Sequence, residues 1–114
     1  MTATIYKICP KALWHEAERA GAFVGAPVDR ADGYIHFSTA AQAAETAARH
    51  FAAQDDLLLV AVDAEALGSA LRYEPSRGGQ LFPHLYGPLP LSAVRWVRPL
   101  PLGPGGTHVF PELE

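Results

Sequence analysis

The chain has 114 residues, of which 49% are apolar and 18% charged, and its formal net charge is −3. This length suits one hydrophobic core and is too short for two ordinary ones, so a single domain over residues 1–114 is expected. The nine basic residues are scattered and outnumbered by twelve acidic ones, which argues against a protein that binds the phosphates of duplex nucleic acid.

The cysteine count and the hydropathy pattern predict a cytoplasmic protein. Cys9 is the only cysteine, so neither an intrachain disulfide nor a thiolate-rich metal site is expected. No window approaches the roughly 20 apolar residues that a membrane helix needs. The first residues also lack the basic segment and apolar run of a secretory signal, and we expect no membrane association.

The first third of the chain predicts a strand, a helix and a connection. Residues 4–9 alternate apolar and polar types, which is typical of a half-buried strand, and Pro10 ends it. A helix over residues 11–20 would bury a stripe that includes Leu13, Ala17 and Ala20. Gly21 would end this helix, and Gly, Pro and Asp then make residues 24–33 a turn-rich connection.

A short strand over residues 34–37 leads into the second main helix. Thr39 and Gln42 match the S/T-x-x-E/Q capping pattern ahead of an alanine-rich segment, and Ser38 is the alternative cap.

The rest of the chain predicts strands separated by loops. Residues 57–62 form a continuous apolar run, the mark of a central strand covered on both faces. Further strands are predicted over residues 71–74 and 93–98, with a Gly/Pro-rich loop over residues 75–90 between them. Together these elements predict an α+β fold with two main helices.

Chemically capable side chains concentrate where the third predicted strand meets the second helix. The two-residue period of a strand puts His36 and Ser38 on one side and Ile35 and Phe37 on the other. The apolar pair should be buried, and the helix N-terminus beside the polar pair attracts a phosphate or another electron-rich group. We therefore expect His36, Ser38 and Thr39 to bind a ligand. The alternative is that the two hydroxyl residues only cap the helix and that the histidine bonds to a backbone carbonyl.

A second cluster lies in the Gly/Pro-rich loop. Two glycines there allow a close backbone approach, and Arg77 before them is a candidate ligand-binding residue. His84 and Tyr86 suit proton transfer, or stacking on a nucleobase or nicotinamide ring. The alternatives are that they only pack the loop, and that Glu74 and Arg77 form a surface ion pair.

A dedicated metal site is not expected. The five histidines show neither an H-x-x-x-H pair nor an HExxH pattern, so the ligands would have to come from distant segments.

Three segments occur in an order that resembles the small bacterial domain-of-unknown-function 952 family: residues 5–8 (IYKI), 32–39 (DGYIHFST) and 78–89 (GGQLFPHLYGPL). The fold of that family is similar to that of the ADP-ribosyltransferases, a mixed sheet split around an NAD-binding cleft. The resemblance therefore implies a split sheet, NAD as the cofactor and a nucleotide or related metabolite as the partner.

The resemblance also implies roles for individual residues. Residues 36–38 are similar to the His-x-Ser pattern that holds the nicotinamide ribose and amide in ADP-ribosyltransferases, with phenylalanine in place of the usual glycine. The catalytic glutamate of those enzymes aligns with Ser92. Three possibilities follow: Glu74 supplies the carboxylate, the domain binds a nucleotide without transfer, or the chemistry depends on His84 and Tyr86.

The leading hypothesis is a nucleotide-handling domain in which His36 and Ser38 orient the ligand and His84 and Tyr86 line the opposite wall of one cleft. Any reaction would be a transfer at an anomeric carbon. The first rival is a non-catalytic module for a small metabolite or a peptide.

The second rival is a protein interface with a vestigial site, in a chain that is either a monomer or a homodimer. An exposed apolar patch around Phe82, Leu85, Leu89 and Leu91 would support it.

Overall fold

The computed structural model describes residues 3–113. Within them, the elements in chain order are β1 (Thr4–Pro10), α1 (Lys11–Ala20), β2 (Ala22–Phe23), α2 (Pro27–Asp32), β3 (Ile35–His36), α3 (Ala43–His50), β4 (Leu57–Asp63), β5 (Leu71–Pro75), β6 (Leu81–Leu85), β7 (Leu89–Pro90) and β8 (Val94–Pro99). Short 3₁₀ turns occupy Glu65–Ala70, Arg77–Gly79, Leu91–Ala93 and Pro104–Gly106. The α+β class predicted from the sequence is confirmed.

The strands form antiparallel sheets in the orders β1-β4-β8, β3-β6-β5 and β2-β7. The two larger sheets touch at one bridge just after β3, where Tyr6 and Ser38 each donate a backbone N–H to the other's carbonyl at 2.8 Å. This bridge brings the middle of β1 against the end of β3.

The central position of β4 confirms the prediction from its continuous apolar run. Leu58, Val60 and Val62 point into one core cluster, which includes the buried Trp14 of α1. The alternate side chains, Leu57, Leu59 and Ala61, point into a second cluster that includes Ala47 of α3. A strand with buried side chains on both faces separates two layers of core.

Two burial predictions for the first elements were wrong. β1 is not half-buried, because Lys7 is only 6% exposed. In α1 the buried residues are Trp14 and Ala17, whereas Ala20 is exposed and Leu13 is half-buried. The indole has more apolar area to bury than either of those side chains, and it turns the helix toward the core.

The predicted connection over residues 24–33 contains the six-residue helix α2. Pro27 stands at its first turn, and the Asp29 carboxylate accepts a hydrogen bond from the backbone N–H of Ala26 at 2.7 Å. Gly33 ends the helix in the left-handed region with φ 88°. The helix has barely more than one turn, so it has no apolar period to reveal it.

The predicted loop over residues 75–90 contains β6, the middle strand of its sheet. Pro83 suggested a loop because proline cannot donate to a ladder. The sheet accommodates it because its carbonyl still accepts the N–H of Phe37 at 3.0 Å. His84 therefore lies on a strand.

α3 begins at Ala43, later than the capping pattern predicts. Half of the expected capping box forms, because the Gln42 side chain accepts the N–H of Thr39 at 3.1 Å. The Ser38 hydroxyl does not cap the helix; it hydrogen-bonds the hydroxyl of Thr46 at 2.8 Å.

Among the described residues, none of the helices has both the length and the apolar character required to cross a membrane.

Candidate functional site

Both predicted motifs meet on one face of the β3-β6-β5 sheet. His36 and His84 are cross-strand partners in the β3–β6 register, and their ring centroids are 5.6 Å apart. Tyr34 stacks on His84 with centroids 4.1 Å apart. The prediction that the motifs face each other across a cleft was wrong, because the two histidines are neighbours on the same sheet.

A cleft of about 480 Å³ opens beside this face and is bordered by β1 and α3. Four of the predicted site residues line it: His36, Ser38, Arg77 and His84. Its volume falls within the range of small-molecule sites, about 300–1,000 Å³.

The buried carboxylate of Asp29, on α2, contacts both the backbone and the ring of His36. The carboxylate is 1% exposed and accepts hydrogen bonds from Lys7 Nζ at 2.9 and 3.0 Å. It also accepts the backbone N–H of His36 at 3.1 Å and lies 2.6 Å from its Nδ1. Burial raises the pKa of Asp29, but the hydrogen bond from His36 and the charge of Lys7 outweigh burial and lower the pKa from 3.8 to about 2. This carboxylate is therefore ionised at neutral pH.

The second ring nitrogen of His36 also faces a carboxylate, since Nε2 lies 2.9 Å from Asp32 Oδ2. Both contacts are hydrogen bonds only if each ring nitrogen carries a proton, because an ionised carboxylate can only accept. A ring with a proton on each nitrogen would donate to both carboxylates at once. The alternative that His36 bonds to a backbone carbonyl was wrong.

Glu74 of β5 links His84 to Tyr86. Its Oε1 lies 2.8 Å from His84 Nδ1 and accepts the Tyr86 hydroxyl at 2.7 Å. The hydrogen bonds from Tyr86 and His84 lower the pKa of Glu74. The same bond to Glu74 raises the pKa of Tyr86. With Nδ1 donating to Glu74, a neutral His84 carries its lone pair on Nε2.

Glu74 and Tyr86 do not line the cleft, although Glu74 contacts His84, which does. Thr39 does not line it either; its N–H donates to the Gln42 side chain, and its carbonyl accepts the N–H groups of Gln42 and Ala43. Of the predicted residues, these three are therefore not cleft walls.

Arg77 is a further charged residue that lines the cleft. Its guanidinium lies over the ring of Phe82 at 4.9 Å and reaches the Thr46 hydroxyl at 3.4 Å. Its acidic neighbour is Glu45 at 3.8 Å. The alternative that Arg77 pairs with Glu74 was wrong, because Glu74 turns toward His84.

Sequence reasoning missed Lys7, Asp29, Asp32 and Thr46. One signal was present: Lys7 lies in a strand with several apolar residues, and a lysine that such a strand buries requires an anionic partner. Its partner, 22 residues away, is not visible from local patterns.

Within residues 3–113, no group of three or more His, Cys, Asp or Glu side chains is placed to hold a metal ion. The apolar patch expected for the interface hypothesis is also not exposed. Phe82, Leu85 and Leu89 are buried, and Leu91 is half-buried.

Residues 8–97 match the model of a family described as "Protein of unknown function (DUF952)". The X-ray crystal structure of protein CC0527 from Caulobacter crescentus is 49% identical in sequence, covers 93% of each chain and superposes with a TM-score of 0.90. The solution NMR structure of CC0527 is 50% identical, covers 91% of this chain and 90% of that chain, and has a TM-score of 0.83. No curated protein matches the chain. The matched structures give no support to the likeness with ADP-ribosyltransferases, which stays a hypothesis.

Proposed function

Given that the chain belongs to the DUF952 family of proteins of unknown function, we propose that its cleft binds a nucleotide of the NAD type. One observation carries the proposal: His36, Ser38, Arg77 and His84, from two separate motifs, line the same cleft. A concave site with a few convergent polar groups is the usual form of a small-molecule site.

The cleft offers partners for each part of such a ligand. The rings of Phe37, Phe51 and Phe82 line it and suit a base or a nicotinamide. Arg77 is a cationic donor for phosphate oxygens, and the ring N–H of His36 is a further donor. The similarity of residues 36–38 to the His-x-Ser pattern of ADP-ribosyltransferases supports the same ligand class.

The reaction that fits this site is transfer from the anomeric carbon of the nicotinamide ribose. The carbon–nitrogen bond breaks and its electron pair leaves on the nicotinamide nitrogen. An acceptor oxygen forms the new bond to that carbon and gives its proton to His84. Glu74 orients His84 for this step through the 2.8 Å contact at Nδ1.

A binding module without catalysis is the second candidate. It is favoured by the position of Glu74, whose Oε1 already accepts from two side chains and which does not line the cleft. Ser92 is also not an acid. In this case the contacts among Glu74, His84 and Tyr86 would serve only to fix the position of His84 in the cleft wall.

Isothermal titration with NAD tests the binding, and chromatography of released nicotinamide tests the transfer. Wild type and the control His15→Ala, which changes an exposed residue of α1, are expected to bind equally. His36→Ala and Arg77→Ala are expected to weaken binding by about tenfold or more, the effect of losing a charged hydrogen bond. Binding without nicotinamide release would select the second candidate. No binding of NAD, ADP-ribose or AMP by the wild type would contradict both.

A further inference from the structure

The two carboxylates on His36 differ in how firmly they are held. Asp29 is 1% exposed and is fixed by Lys7 and by the backbone of Ala26. Asp32 is 46% exposed and lines the cleft, and within residues 3–113 its one ion pair is to His36. Exposed pairs of this kind contribute little to stability. Asp29 is therefore a permanent partner of the imidazole and Asp32 an exchangeable one.

The position of Asp32 in its own helix weakens it further. It is the last residue of α2, where the carbonyl ends of the helix carry partial negative charge and repel a carboxylate. The contact with His36 offsets that repulsion.

The charge balance around His36 indicates what can replace Asp32. Lys7 and Asp29 neutralise each other in their buried pair, so a His36 ring that donates from both nitrogens gives this trio a net charge of one positive unit. Asp32 supplies the balancing negative charge from the solvent side. A neutral group in its place would leave the cation unbalanced, whereas an anionic oxygen would restore the balance.

The other charged or titratable groups that face this position are few. They are His84 from β6, Tyr34 beside it, and His50 and Arg77 on the cleft wall. None of these four is a carboxylic acid, and the nearest further carboxylates are Glu74, which contacts His84, and Glu45, which lies beside Arg77. Arg77 has its own acidic neighbour only at 3.8 Å, so it adds a second cation to the same cleft.

We infer that the Asp32 carboxylate occupies the place of a ligand phosphate oxygen and that the phosphate displaces it from Nε2 of His36. The inference deepens the proposed nucleotide site and rests on it for the nature of the ligand. In the free protein Asp32 keeps the cation balanced; in the complex the phosphate takes over that contact and Asp32 turns to solvent.

Titration of pyrophosphate, ADP and adenosine into wild type, Asp32→Asn and Asp55→Asn tests this. Asp55 is exposed outside the cleft, so its variant controls for the change in net charge. Asp32→Asn is expected to bind pyrophosphate and ADP about threefold to fivefold tighter than wild type, the size of an exposed ion pair. Adenosine should not distinguish the variants. A gain for ADP but not for pyrophosphate would mean that the phosphate has to come from a nucleotide.

Nitrogen NMR of the His36 ring at pH 7 provides a readout that needs no ligand. Wild type is expected to carry a proton on both ring nitrogens. A wild-type ring with only one proton would overturn the inference. So would Asp32→Asn binding both pyrophosphate and ADP no better than wild type, or neither protein binding either of them.

The same titrations separate this inference from the proposed function. If NAD fails to bind wild type while pyrophosphate prefers Asp32→Asn, the dinucleotide proposal fails and the displaced carboxylate stands. If NAD binds wild type and Asp32→Asn shows no gain for pyrophosphate or ADP, the dinucleotide proposal stands and the displaced carboxylate fails.

Discussion

At the residue scale, Asp29 connects the stability of the fold to the chemistry of the site. Its buried carboxylate joins Lys7 on β1 to His36 on β3, and it also caps the start of its own helix through Ala26. Removing one partner of a buried ion pair leaves the other charge uncompensated, which is much costlier than losing an exposed pair.

Asp29→Asn is therefore expected to lower the free energy of unfolding by about 3–5 kcal/mol, because Lys7 stays buried without a counterion. Urea denaturation at pH 7 measures this. Asp32→Asn, which changes an exposed carboxylate on the same histidine, should cost under about 1 kcal/mol. Equal losses in both variants would contradict the central position of Asp29.

The pH dependence of that loss has a definite sign. The pKa of Asp29 is lowered in the folded protein, from 3.8 to about 2, so its contribution to stability is fully present above the higher value. It should be lost as the pH falls through the folded value. The difference in the free energy of unfolding between wild type and Asp29→Asn should therefore be constant at neutral pH. It should shrink as the pH falls from 3.8 to about 2. A difference that widens on acidification would contradict the geometry.

Glu74 allows a test of the second cluster. Its hydrogen bond raises the pKa of Tyr86, so Glu74→Gln is expected to lower that pKa toward the ordinary tyrosine value. Carbon NMR of the tyrosine rings follows the titration. Glu16→Gln, an exposed change on α1, is the control and should leave the Tyr86 curve in place. An unchanged curve in Glu74→Gln would mean that the Glu74–Tyr86 contact does not form in solution.

At the element scale, local periodicity decided which parts of the fold were predictable. α1 and β4 were located from the sequence because an apolar pattern covers each full element, although α1 buries Trp14 rather than the whole predicted stripe. α2 and β6 were missed since one has only six residues and the other contains Pro83. In both cases the structure depends on tertiary contacts, such as the bond from Phe37 to Pro83, rather than on the segment itself.

The site residues likewise divide into those that local sequence patterns reveal and those that depend on tertiary contacts. His36 and Ser38 were predicted because polar residues at a strand end stand out against apolar neighbours, and His84 because it lies in the Gly/Pro-rich segment that was predicted as a loop. Lys7 and Asp29 could not be paired from the sequence, since their contact depends on how α2 docks against β1.

β4 gives the stability prediction at this scale. Leu59 is fully buried, so Leu59→Ala is expected to cost about 2–5 kcal/mol through lost burial and a cavity. Leu81→Ala on β6 is the matched control, because this leucine is 54% exposed and should cost about 0.5 kcal/mol or less. Chemical denaturation compares the two. Similar losses would mean that β4 is not the centre of the core.

At the scale of the whole molecule, the cleft lies beside the backbone bridge between Tyr6 and Ser38 that joins the two larger sheets. β1 supplies Lys7 from one sheet, and β3 and β6 supply the two histidines from the other. A second cavity of about 370 Å³ lies near Tyr34, Gly87 and Pro88 and offers the natural comparison for ligand mapping.

Chemical-shift mapping of the ¹⁵N-labelled protein with NAD tests the central claim most directly. The account predicts saturable shifts that cluster at the cleft, around His36, Ser38, Arg77 and His84, and that disappear in His36→Ala. Shifts that cluster instead around Gly87 in the second cavity, or no shifts at all, would contradict it.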